Sequence, residues 1–76
     1  MPRSVTLRDR IDDLQAQARA LRARVQSDGL RARLDEALLE LERIPELFPE
    51  PLAWHALLVP QGRIRTVREI LAVERA

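Results

Sequence analysis

Residues 7–44 read LRDRIDDLQAQARALRARVQSDGLRARLDEALLELERI. In the first half, Leu7, Ile11, Leu14, Ala18, Leu21 and Val25 recur at spacings of 4, 3, 4, 3 and 4, so all six fall on the a and d sites of one heptad register. On a helical wheel they cover a narrow arc of about 80°, the seam of a coiled coil and not the broad face of a helix laid on a globular core. Thr6 with Asp9 has the pattern of a capping box, with Asp in place of Glu. Asp9, Asp12 and Asp13 put negative charge where the helix dipole favours it. The spacing predicts a helix over 5–27.

Beyond Ser27-Asp28-Gly29, a second heptad run of Leu30, Leu34, Ala37, Leu41 and Ile44 is offset by two residues from the first. Coiled coils absorb insertions of three or four residues, so a shift of two fits a chain reversal better than one continuous helix. Gly29 at a helix C′ position would supply the left-handed residue of that reversal. Pro45 disfavours the α conformation of Ile44, which predicts helix 2 over 30–44 and an antiparallel, coiled-coil-like hairpin whose paired residue numbers sum to about 57. Helix 2 is then the shorter one, and Leu7 and Ile11 extend past its end. They would need cover from Leu47-Phe48, from the segment after Leu52, or from a second protomer.

Residues 45–51 hold three of the five prolines and read as a stiff connector to a C-terminal appendage over 52–76. Residues 52–59, LAWHALLV, fit a short helix better than a strand, with Val59-Pro60-Gln61-Gly62 as a turn after them. Thr66 and Glu69 then make a Thr-x-x-Glu capping box for a helix from Val67 to about Arg75. The expected fold class is all-α: a helical hairpin plus a short C-terminal helical segment in one small domain.

The chain has 76 residues and no cysteine, a size at which one hydrophobic core supplies little net stability. Association is the expected remedy. The hairpin would form a homodimer, in effect a four-helix bundle, through Leu7, Ile11, Leu14, Leu21, Val25, Leu34 and Leu41. For a larger protein partner the candidates are the small-residue stripe Ala16, Ala20 and Ala23 on the back of helix 1, the isolated Leu39, and Trp54. Trp54 reads first as the anchor of the small core and second as an interface hot spot.

All 13 basic residues are Arg. Residues 1–27 carry six Arg and three Asp, 28–50 three Arg and seven acids, and 51–76 four Arg and two Glu. Arg residues flanking the helix 1 seam are expected to meet Asp35, Glu36, Glu40 and Glu42 of helix 2. The alternative makes Arg8, Arg19, Arg22, Arg65 and Arg68 phosphate contacts of a small DNA-binding or antitoxin-like regulator, with Arg75 joining them on a recognition helix. The sequence contains no His-x-x-x-His, Cys pair, glycine-rich phosphate loop or nucleophile motif, and His55 is its one histidine. A non-catalytic adaptor or regulatory subunit without cofactor is therefore the expected function. No stretch is apolar enough to span a bilayer, and the expected setting is cytoplasmic, without membrane contact.

Overall fold

Thr6 sets where the first helix starts. Its backbone is extended, its hydroxyl accepts from the Asp9 N–H at 3.0 Å, and the Asp9 carboxylate accepts from the Thr6 N–H at 3.4 Å. The box forms with Asp as it would with Glu. In the computed structural model, which describes residues 5–75 and side chains through 74, helix α1 spans Leu7–Arg24. It buries Ile11, Leu14, Ala18 and Leu21, and Val25 just beyond is 3% exposed, so these five heptad positions form the inward seam.

The reversal works differently from expectation. Val25 and Ser27 are extended, and no glycine has positive φ among the described residues. The Ser27 hydroxyl accepts from the Leu30 N–H at 3.4 Å and caps a helix that already includes Gly29. An extended Val25 and an extended serine cap turn the chain, and neither glycine takes the left-handed conformation. Arg22 pairs with Asp35 across the hairpin, and their numbers sum to the expected 57.

Helix α2 spans Asp28–Leu47 and buries Leu30, Leu34, Ala37, Leu41 and Ile44. It runs through Pro45, correcting the end placed at Ile44. In a last turn, proline forfeits only the hydrogen bond to the Leu41 carbonyl, while the Phe48 N–H still bonds Ile44 O at 3.1 Å. The expected connector over 45–51 shrinks to Phe48 and Pro49.

Helix α3, Glu50–Ala56, carries Pro51 in its first turn, where a missing N–H is no loss. Its inward residues are Ala53 and Leu57, at 0% and 3% exposure. Trp54 lies about 100° further round the helix and is 37% exposed, so it does not anchor the core.

Helix α4, Leu58–Arg75, overturns the reading of an appendage. Pro60 and Gly62 sit inside it, and Thr66 is mid-helix and caps nothing. The interruption at Leu57 lies where the Pro60 ring meets the carbonyl of Ala56 and offers no N–H. Leu57, Pro60, Ile64 and Val67 are buried, with Leu71 packed beside them.

Helix α2 packs along both α1 and α4, which also touch each other, and α3 closes one end against all three. Arg63 of α4 bonds Glu40 of α2 at 2.7 Å, and Arg68 of α4 bonds Gln17 of α1 at 2.7 Å. The result is a three-helix bundle with no buried polar side chain among the described residues. Ile11 is 5% exposed and Leu7 half-buried, so the chain itself covers the end assigned to a possible second protomer.

Gly62 has open space where a Cβ would sit and no positive φ. Gly62→Ala is expected to stabilise by about 0.5–1 kcal/mol, a rise in thermal midpoint of roughly 3–6 °C. Thermal unfolding checks it, and an unchanged or lower midpoint would contradict helical Gly62.

Candidate protein-docking groove

Two helices meet at an angle where α2 ends and α3 begins, and the residues between them have nothing above them. The heptad of α2 would continue from Ile44 to Phe48, but Phe48 is the extended C-cap and swings 40% into solvent. Leu47 beside it is 67% exposed. From the other side, Leu52, His55, Ala56 and Val59 line one helical face, with Leu52 and Val59 each more than half exposed. Ile44, Leu47, Phe48 and these residues line a groove of about 600 Å³, with Glu40, Arg43 and Pro60 at its margins.

The groove is apolar, and its charges are unequal in kind. Glu40 is committed inside the chain, since Arg63 donates from Nε to Glu40 Oε1 at 2.7 Å and lies 3.3 Å from Glu36. The hydrogen bond to Glu40, then the charge of that carboxylate, raise the Arg63 guanidinium above its ordinary pKa, with a smaller push from Glu36. Arg22 is raised in the same way by its hydrogen bond to Asp35 and by that residue's charge. Both groups are charged at any physiological pH. Arg43 has no carboxylate partner among the described residues, and Glu46 has no cationic one.

A second groove of about 600 Å³ lies toward α1, over Leu7, Ile11, Leu41 and Pro45. Its floor residues are mostly covered, and Arg8, Asp12, Glu42 and Glu50 edge it. It is the more polar of the two.

Of the residues expected to self-associate, Ile11, Leu14, Leu21, Val25, Leu34 and Leu41 are buried within one chain, and Leu7 half so. They hold the protomer together and offer no free face to a second copy. Ala16, Ala20, Ala23, Leu39 and Trp54 all lie at the surface. Helical spacing puts Leu39 on the same stripe of α2 as Arg43 and Leu47, next to the groove.

Three of the five expected phosphate contacts have carboxylate partners within the chain. Arg8 pairs with Asp12 at 3.6 Å, Arg22 with Asp35 at 2.7 Å and Arg65 with Glu69 at 3.3 Å. The expected inter-helix pairing of α1 arginines thus reaches Asp35, while Glu36 and Glu40 are taken by α4. Arg19 has no carboxylate partner among the described residues, and Arg68 bonds Gln17; the side chain of Arg75 lies outside the described residues. What the sequence did not suggest is that Arg68 joins Arg24 beside a shallow groove of about 340 Å³ over Leu21, Leu71 and Ala72. Only the packing of α1 against α4 brings those two together.

Fold and site together define an all-α three-helix bundle with an open apolar groove at one end. No protein-family model, curated protein or solved structure matches the chain. No described helix is long and apolar enough to cross a membrane, and no three His, Cys, Asp or Glu side chains among the described residues are placed to hold a metal ion.

Proposed function

We propose that the chain is a non-catalytic protein–protein interaction module, an adaptor or regulatory subunit that docks a helical surface of another protein in the groove between α2 and α3. The observation that carries this is the gathering of Leu47, Phe48, Leu52 and Val59 along one groove in a chain of 76 residues. Contiguous exposed apolar surface of this kind marks interaction sites in proteins with otherwise polar surfaces. The cytoplasm is the setting this reading favours, which a cysteine-free chain suits.

The test is reconstitution with a purified partner recovered by the wild-type protein. Leu52→Asp places a charge in the groove at a half-exposed site that the fold tolerates. Binding is expected to weaken at least tenfold, as for a residue central to an interface, while Arg19→Ala binds like wild type. Equal binding by all three would remove the groove from this reading.

A second reading, a small DNA-binding regulator, draws on Arg24 and Arg68 beside one groove without carboxylate partners. It predicts duplex binding that weakens steeply with salt and is lost in Arg24→Ala, Arg68→Ala. The acids of α2 and the paired state of Arg8, Arg22 and Arg65 count against it.

A further inference from the structure

We infer that the occupant of this groove in the free protein is a second copy of the chain, docked with α2 antiparallel to its own counterpart. The inference rests on the docking reading and names what fills the groove when no larger partner is bound. Leu39, Arg43 and Leu47 stand four residues apart on one stripe of α2, and Glu46 lies beside them. Arg43 and Glu46 are both exposed, three residues apart, and neither has an ion-pair partner among the described residues. One positive and one negative group left unpaired on the same face is a self-complementary arrangement. In a two-fold contact, Arg43 meets the partner's Glu46 while Glu46 meets the partner's Arg43, so both signs are answered twice.

Area points the same way. The exposed portions of Leu39, Leu47, Phe48, Leu52 and Val59 add up to on the order of 500 Å², at the upper end of what monomers leave uncovered. Two copies would bury about 1,000 Å² of apolar surface, and the charged rim brings the total into the low range of specific interfaces. An unrelated partner could match the apolar groove as well as a second copy. The alternating Arg43 and Glu46 favour the chain's own surface, because two-fold symmetry supplies the opposite charge at each position without further assumption.

Sedimentation of the full chain at micromolar concentration should give about 17 kDa, twice 8.7 kDa, and fall toward the monomer on dilution. Arg43→Glu and Glu46→Arg should each weaken the dimer about tenfold or more, because each creates two like-charge contacts. The double variant that exchanges the charges should restore it to within about threefold, a rescue that a merely sticky surface would not show. Unchanged circular dichroism in these exposed variants separates lost association from lost folding. A wild-type chain that stays monomeric up to about 200 µM overturns the inference. A dimer indifferent to Arg43→Glu and to Leu47→Asp overturns it as well, by placing the contact elsewhere. Neither result touches the docking reading, which the Leu52→Asp comparison with a purified partner decides.

Discussion

Val67→Asp is expected to unfold the entire chain at 25 °C, hairpin included. Val67 is 0% exposed in the middle of α4, where a carboxylate would be buried without a partner. The cost is several kcal/mol, against a total stability of roughly 4–11 kcal/mol for a chain of this length. Because α4 packs along α2 and also touches α1, the loss should not stay local. Helix α2 without α4 exposes Leu34, Ala37, Leu41 and Ile44 to water on one side. Circular dichroism should show the loss of most helical signal in a single transition. The control is Val73→Asp, at a site 74% exposed on the same helix, which should leave the spectrum and melting curve almost unchanged. Retention of the α1 and α2 helical signal in Val67→Asp would restore the picture of an independent hairpin with an appendage.

Leu34→Ala should produce the largest loss from a purely apolar truncation. Leu34 is 0% exposed on α2, the helix that packs along both long neighbours. Removing its branched end costs the transfer free energy of the lost methyl groups and leaves a cavity, together about 3–4 kcal/mol. In a domain this small that lowers the thermal midpoint by roughly 15–25 °C. Leu39→Ala, five residues on and 46% exposed, removes the same atoms from the surface and should change stability by less than about 0.5 kcal/mol. Denaturant titration of the two variants separates core from surface on α2. Similar losses would mean that α2 presents a different face to the bundle.

Much of the bundle is legible in the sequence. Apart from the half-buried Leu7, the heptad positions of both early helices are the buried ones, Thr6 and Asp9 form their box, and Arg22 with Asp35 realises the expected register. The third long helix was missed although its pattern is of the same kind. Leu57, Pro60, Ile64, Val67 and Leu71 are spaced 3, 4, 3 and 4, the alternation that identified α1. Pro60 and Gly62 concealed it, because those residues signal a turn when nothing is known of their context. Near the start of a helix Pro60 has no hydrogen bond worth keeping, and Gly62 simply takes helical dihedrals. Pro45 misled in the same way at the other end of a helix.

The groove was harder to foresee. From sequence, Leu39 reads as an isolated exposed residue and Trp54 first as a core anchor, while Leu47-Phe48 and the segment after Leu52 are candidate cover for Leu7 and Ile11. Instead α2 runs on past Pro45, and α3 with its C-cap turns Ala53 and Leu57 inward while Leu47, Phe48 and Leu52 stay exposed. The phosphate stripe is partly engaged within the chain for a related reason. Three of its five arginines found acids three-dimensionally close, two of them within their own helix.

The sequence by itself determined that α1 and α2 form, which residues they turn inward and how they pair, because periodicity and caps are local and act over one or two turns. Tertiary structure alone decided that residues 57–71 complete the core, that Trp54 stays at the surface, and that Leu47, Phe48, Leu52 and Val59 border an open groove. Burial depends on surfaces far apart in the chain. The inward faces of α3 and α4 complete the seam, and the apolar residues on their other faces and at the end of α2 are left in solvent.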